Sequence, residues 1–166
     1  PRTEKMLVVT SPLFLVATNF ICWWCGEEIT VVGIVSDDVA DSENGEENRL
    51  GKDAGDFFLL TNIEALPSEL LAEIQVHSPS FGKAISATAK PTYFANVCVC
   101  CNGLQGEYHV HSEPDKGIVP SDDADCADMH VTTLNYSGRF QTEASVAPST
   151  PIQSVLRRHL TLPPQN

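Results

Sequence analysis

Runs of apolar and β-branched residues predict a fold built mostly from β-strands. Residues 13–21 are almost all apolar and lead directly to Cys22, which indicates a buried strand. Five further stretches have β-prone sequences: 27–35, 57–60, 92–99, 131–134 and 139–146. The pattern therefore favours a β-rich fold.

Two segments have the spacing of helices instead. Leu66, Leu70 and Ile74 fall four residues apart, so their side chains share one helical face. Pro67 suits the first helical position, and Pro79 ends the helix. Near the end of the chain, a second short amphipathic helix is predicted from Pro151 onward by the spacing of Ile152, Val155, Leu156 and His159. Together with the strands, these helices predict an α+β fold that is rich in β-structure.

Residues 6–17 form an apolar run behind Arg2 and Lys5, which imitates a signal peptide. Pro12 and the continuation of the apolar run to Ile21 favour a strand leading to Cys22. No stretch of the chain is long and apolar enough to predict a membrane span. We therefore expect a cytoplasmic protein without a membrane partner.

Acidic residues outnumber basic ones 22 to 10 among the 166 residues, for a formal net charge of -12. Such a charge repels phosphate backbones and favours solubility or a basic partner. Part of it is concentrated in residues 37–55, which we interpret as a solvated loop. A docking surface for a basic partner is the alternative for this segment, and a calcium loop fits less well because the ligand order of an EF-hand is missing.

Two CxxC pairs dominate the candidate chemistry: Cys22 with Cys25, and Cys98 with Cys101. Each pair is followed by glycine or asparagine, which can take the left-handed backbone of a tight turn. We predict that the four thiolates bind one tetrahedral Zn²⁺, with the second pair at the tip of a hairpin. Four protein ligands leave no open coordination position, so the site is predicted to be structural.

Two other uses of the six cysteines fit less well. Disulfides in a secreted protein are disfavoured because the close CxxC pairs suit a metal better than mutual bridges. A thioredoxin-type redox motif needs a helix after its first cysteine, whereas a strand is predicted after Cys25. We therefore expect a reducing compartment.

His109 and His111 alternate along a predicted strand and so point to the same face. With Glu113 or Asp115 they suggest a second metal site, and hence a metal-dependent hydrolase. The alternative is that the imidazoles form hydrogen bonds near the metal turns or face solvent. The chain has no nucleophile elbow and no glycine-rich phosphate loop, so the common enzyme motifs are missing.

Trp23 and Trp24 lie inside the first CxxC pair. Two large aromatic side chains in one turn cannot both easily avoid solvent. We expect at least one to pack structurally, for example over the metal cluster, and the other to pack on the insertion described below or to contact a partner.

The segments around the two CxxC pairs resemble a family. The first reads CWWCG followed by valines, and the second reads YFANVCVCCNGLQGEYHVHSEP over residues 93–114. Together they resemble a poorly characterised group of bacterial zinc-ribbon proteins. In that group a tryptophan-containing CxxC is followed by an asparagine, a second CxxC, a QGD-like segment and His-x-Glu-Pro.

This resemblance covers residues 19–35 and 92–114 and implies the same four cysteine ligands. Cys100 is an extra thiol within the second pair, and Glu107 replaces the more usual aspartate. The implied architecture is one zinc-ribbon-based domain over residues 1–166. It would carry a helix-containing insertion at about 36–90 and a C-terminal extension at about 120–166. The limits of both segments follow the predicted order of helices and strands.

We predict a non-catalytic zinc protein that acts through protein contacts, as an acidic inhibitor, an immunity-type protein or an adaptor. The first alternative is the hydrolase that uses His109, His111 and Glu113. The second is a nucleic-acid-binding zinc ribbon, which would require Arg139, Arg157, Arg158 and the lysines to converge despite the acidic total charge. The sequence assigns no role to Cys100 or to Cys126.

Overall fold

The computed structural model describes residues 5–51, 56–84, 93–105, 128–148 and 150–161. These ranges form a β-rich α+β structure, as the sequence predicts. In chain order, the elements are β1 (Lys5–Thr10), β2 (Leu13–Ile21), β3 (Glu28–Ser36), β4 (Val39–Glu43), β5 (Glu46–Arg49), β6 (Phe58–Thr61), α1 (Ser68–His77), β7 (Gly82–Ala84), β8 (Tyr93–Val97), β9 (Leu104–Gln105), β10 (His130–Thr133), β11 (Arg139–Pro148) and α2 (Thr150–Thr161).

The strands form an antiparallel eight-stranded sheet in the order β10-β2-β3-β6-β11-β1-β4-β5, and a three-stranded sheet in the order β7-β8-β9. β11 joins the two halves of the larger sheet. Its first residues pair with β1, and its last residues pair with β6. β4, β5 and β6 come from the segment that we interpret as an insertion, and β10 and β11 come from the extension. All five are hydrogen-bonded into the same sheet as β2 and β3.

The first four residues of β2 are buried on both faces of the strand. Phe14 and Val16 pack in a hydrophobic cluster with residues of α2, whereas Leu13 and Leu15 pack in a second cluster with residues of α1. Successive side chains of a strand point to opposite faces, so a strand covered on both sides must be apolar at every position. This burial explains the unbroken hydrophobic run that predicts the strand.

The buried residues of the two helices match most of each predicted face, but Leu66 precedes α1 and His159 of α2 is exposed. Leu70 and Ile74 of α1 are fully buried, and Ser78 follows the last helical residue just before Pro79. In α2, the residues buried against the sheet are Ile152, Val155 and Leu156. Pro67 is a small correction: its ψ of 142° is extended, so it caps α1 instead of occupying the first helical position.

The prediction of a loop over residues 37–55 is wrong for most of that segment. β4 and β5 form a hairpin, and Asn44 and Gly45 make its two-residue turn with φ angles of 53° and 80°. Asn-Gly favours this turn because both residues tolerate positive φ. β5 is exposed along its whole length and lies at the edge of the sheet. Its charged side chains are typical of edge strands that must avoid pairing with other chains.

The apolar run that begins at Met6 forms two strands instead of one. β1 ends at Thr10 and β2 begins at Leu13, with a cis Ser11-Pro12 peptide bond between them. β1 pairs with β4 and β11, whereas β2 pairs with β3 and β10. Only β2 therefore leads to Cys22.

Asn96 of β8 joins the small sheet to the large one. The register of β3 and β6 would place Asn62 opposite Val32, but β6 ends at Thr61 and Asn62 has a φ of 52°. The side-chain amide of Asn96 takes that place: it accepts a hydrogen bond from the N–H of Val32 and donates one to its carbonyl, both at 2.9 Å. Asn96 is 3% exposed, so the backbone groups of Val32 have little access to water as replacement partners.

We predict that Asn96→Ala destabilises the protein, because it leaves both polar groups of Val32 unsatisfied in a buried position. The expected loss in the free energy of unfolding is about 2–4 kcal/mol. Urea denaturation of the metal-loaded protein measures it. Asn19→Ala, at an exposed position of β2, is the matched control and should change stability by less than about 0.5 kcal/mol. A similarly small effect at Asn96 would contradict the prediction.

Candidate metal centre

The four paired cysteines lie in two turns. The first turn follows a strand of the large sheet, and the second follows a strand of the small sheet. β2 ends at Ile21, and the first turn lies between it and β3. The second turn connects β8 to β9 and lies at the tip of that hairpin, as predicted. Cys22 and Cys98 are buried in the same hydrophobic cluster as residues of α2. The site is therefore continuous with the core.

The first turn is closed by three hydrogen bonds around Cys22. Its N–H donates to the carbonyl of Glu27 at 2.9 Å, and its carbonyl accepts from the N–H of Gly26 at 2.8 Å. The N–H of Trp24 points at Sγ of Cys22, at 3.4 Å. Gly26 has a φ of 78°, in the left-handed region that a residue after the second cysteine was predicted to need.

The second turn repeats this geometry. The N–H of Cys98 donates to the carbonyl of Gly103 at 2.9 Å, and the N–H of Asn102 donates to the carbonyl of Cys98 at 2.9 Å. The N–H of Cys100 points at Sγ of Cys98, at 3.3 Å. Asn102 has a φ of 63° and thus corresponds to the glycine of the first turn. The two turns are structural copies that present their thiols in the same way.

The four sulfur atoms lie within 4.8 Å of one another. Sγ of Cys22 is 3.7 Å from Sγ of Cys101, and Sγ of Cys25 is 3.8 Å from Sγ of Cys98. A disulfide needs about 2.05 Å, so these pairs are not bridged. Thiolates at about 2.3 Å from a central ion in a tetrahedron lie about 3.8 Å apart. The spacing fits a four-coordinate metal ion.

Hydrogen bonds from the backbone favour ionisation of the first thiol in each turn. Burial raises the pKa of Cys22, but the N–H groups of Cys25 and Trp24 and the neighbouring thiols outweigh burial and lower it to about 6. In the second turn, the N–H of Cys101 is the main cause of a lowered pKa of Cys98. In both buried cysteines the pKa shift favours the thiolate, the form that binds metal.

The second thiol of each turn shows the opposite shift. The N–H of Glu27 lowers the pKa of Cys25, but desolvation and the other thiols raise it to about 12. For Cys101, the N–H of Gly103 likewise lowers the pKa, but desolvation and the thiols of Cys22 and Cys98 raise it. Four thiolates at this spacing repel one another, and a divalent cation between them removes that repulsion. The donor set is thus suited to a cation with a preference for sulfur.

Gln105 supports the site and was not recognised from the sequence as a supporting residue. Its side chain is fully buried, and Nε2 donates to Sγ of Cys22 at 3.3 Å and to the carbonyl of Gly103 at 2.8 Å. Its Oε1 accepts from the N–H of Trp23 at 3.4 Å. One side chain thus contacts both turns and one sulfur. The only sequence signal was its place in the QGD-like segment of the resemblance.

Trp23 and Trp24 both remain more than half exposed beside the four cysteines. Their indole N–H groups donate to the same carbonyl, that of Leu104, at 3.3 and 2.9 Å. The ring of Trp24 lies directly against Gly103, where a Cβ would collide with it. Both tryptophans are therefore tied to the second turn, in agreement with the expected structural packing of at least one.

Other candidate residues lie outside this cluster. Cys100 is an exposed free thiol at the position that corresponds to Trp24 of the first turn, and Cys98 supplies the clustered sulfur. Arg139 forms an ion pair with Glu47, whereas Arg157 donates to Gln153 on α2. Several predicted residues lie outside the described ranges: Glu107, His109, His111, Glu113, Asp115 and Cys126.

We predict that Gln105→Leu weakens metal binding, because the thiolate of Cys22 loses a donor and the two turns lose a shared contact. The dissociation constant should rise about 10- to 100-fold, as for other residues that orient metal ligands. Competition with a chromophoric chelator measures it. Gln75→Leu is the matched control. The side chain of Gln75 also donates a partly buried hydrogen bond, to the carbonyl of Phe81, but Gln75 lies on α1. Equal affinities for the two variants would contradict the prediction.

Comparison of the chain with protein-family models, with curated proteins and with solved structures found no match. Neither helix in the described ranges has the length and hydrophobicity needed to cross a membrane.

Proposed function

We propose that this chain is a non-catalytic zinc protein in which one structural Zn²⁺ joins two remote turns, and that it acts through contacts with other proteins. The observation that carries the proposal is the group of four sulfur atoms within 4.8 Å, with cross-turn distances of 3.7 and 3.8 Å. Cys22, Cys25, Cys98 and Cys101 would be the ligands, as the sequence predicts.

Zinc is the metal that best fits the donors. Four thiolates in a tetrahedron select Zn²⁺ or iron over the harder divalent cations. Each cysteine supplies one ligand, so no coordination position remains for water or a substrate, and the ion holds the structure without activating a reactant. Thiol ligands persist under reducing conditions, which supports the proposal of a cytoplasmic protein.

The proposed partner is a protein with a basic surface. The formal net charge of -12 favours such a partner and opposes direct contact with nucleic acid. The hairpin of β4 and β5 adds an exposed acidic edge, which includes Glu43, Glu46 and Glu47. An inhibitor, an immunity-type protein or an adaptor would use a surface of this kind. The association should weaken with rising salt because exposed charges are screened.

We predict one zinc ion per chain, held by Cys98 and not by Cys100. Elemental analysis of the native protein should give one equivalent of zinc, with no second metal. Cys98→Ser should abolish stoichiometric binding, since a hydroxyl is a poor zinc ligand, whereas Cys100→Ser should retain it. Both changes remove one thiol from the same turn, so they are matched. Zinc lost from both variants, or iron in place of zinc, would contradict the proposal.

We predict that removing the metal loosens the two turns before it loosens the large sheet. The ion is the proposed cross-link between β2–β3 and the β8–β9 hairpin, whereas the eight-stranded sheet has its own backbone hydrogen bonds. Hydrogen exchange with and without a strong chelator should show faster exchange at residues 22–27 and 98–105. Strands β1 and β11 should stay protected and serve as the internal control. Uniform loss of protection would show that the metal holds the whole fold.

A further inference from the structure

Exposed apolar side chains are concentrated around the metal turns. Ile21, Trp23, Trp24 and Val99 are each more than half exposed, and Trp24 is 64% exposed. These residues flank or belong to the two CxxC pairs, whose four sulfur atoms lie within 4.8 Å of one another. We call this set of four residues the turn face. Large exposed aromatic side chains are typical of the centres of protein interfaces.

The aromatic part of the turn face is held in place although it is exposed. The indole N–H of Trp24 donates to the carbonyl of Leu104, and the ring lies against Gly103. The centroid of the Trp23 ring is 4.9 Å away, at an interplanar angle of 47°. A side chain that is already ordered loses little conformational entropy when a ligand contacts it. The pair is therefore suited to binding, and its geometry does not depend on a partner.

The surroundings of this pair are acidic. Glu27 and Glu28 are exposed at the end of the first turn. The described strands and turns that form the site, residues 13–36 and 93–105, contain no lysine and no arginine. Four thiolates around one Zn²⁺ add a net charge of about −2, the difference between four negative charges and two positive ones. An aromatic face in a negative field attracts cations.

We propose that the turn face binds an arginine side chain in a basic segment of a partner protein, with the guanidinium stacked on Trp24. This proposal rests on the proposed function, because the zinc site supplies part of the negative charge. Arginine fits better than lysine because its planar, weakly hydrated group stacks on indole. Nucleobases also stack on aromatic rings, but their phosphates meet the same negative field. A second copy of this chain would bring like charge to the surface.

The chain offers a direct reporter for this contact. It contains two tryptophans, both in the turn face, so tryptophan fluorescence, excited at a wavelength that tyrosine does not absorb, reports on this surface alone. The probe is a synthetic peptide of alternating glycine and arginine, added to the zinc-loaded protein. The same peptide with citrulline in place of arginine keeps the shape and removes the charge. We expect the arginine peptide to change the fluorescence and to bind at least about fivefold more tightly than the citrulline peptide.

Substitutions of Trp24 test whether the arginine peptide binds at the turn face. Trp24→Ala should weaken binding of the arginine peptide about fivefold or more, as measured by calorimetry, and Trp24→Phe should weaken it less. Val76→Ala is the control, because Val76 is an exposed apolar residue of α1 and lies outside the turn face. The zinc content of every variant is measured on the same sample, so that a loss of binding is not caused by a loss of metal.

Several results would overturn the proposal. Salt-sensitive peptide binding that is unchanged in Trp24→Ala would show general attraction to an acidic surface. That outcome would refute arginine binding by the turn face but would not contradict the proposed function. Oligothymidine that binds more tightly than the arginine peptide would identify a nucleic-acid surface instead. Self-association that Trp24→Ala removes would identify a second copy as the occupant. A native protein that retains no zinc would refute the proposed function and this inference together.

Discussion

Repulsion among four thiolates is the constraint on which the centre depends. Their sulfur atoms lie within 4.8 Å, and each turn directs backbone N–H groups at its first cysteine. These hydrogen bonds stabilise part of the negative charge, but they do not neutralise all four sulfurs. The pKa shifts show the same limit, since Cys22 and Cys98 are lowered while Cys25 and Cys101 are raised. A divalent cation held among the four sulfurs would resolve this conflict.

The large sheet determines where the two turns meet. β2 and β3 are paired over nine residues, which fixes the position of the first turn at the end of a rigid hairpin. The second turn belongs to a much smaller sheet, and Asn96 connects that sheet to Val32 of β3. The N–H of Phe94 adds a bond to the carbonyl of Ile63. These contacts hold β8 against the large sheet, so the fold itself supports the cluster of four cysteines.

Local sequence patterns predicted the helices and strands, whereas contacts between residues far apart in the sequence could not be predicted from local patterns. The apolar run of β2 and the spacing of Leu70 and Ile74 carry their own signal, because burial on defined faces imposes a period on the sequence. The four cysteines were found in the same way, since two CxxC turns leave few alternatives. The hairpin at Asn44 was missed because its acidic composition was given more weight than the Asn-Gly turn signal. Nothing local indicates that Asn96 would replace a residue of β6, since that depends on where β6 ends.

The exposed tryptophans follow from the same geometry as the metal site. Gln105 and the carbonyl of Leu104 contact the first turn from the second, and the indole N–H groups use that carbonyl. Their polar atoms therefore face the protein while much of each ring remains accessible to solvent. Metal binding by the four cysteines and the orientation of the rings would be linked, because both require the two turns to be in contact. If the turns separate when the metal is removed, Trp24 loses its hydrogen bond to Leu104 and its contact with Gly103. A metal ion held by the four cysteines would then control the geometry of the exposed tryptophans.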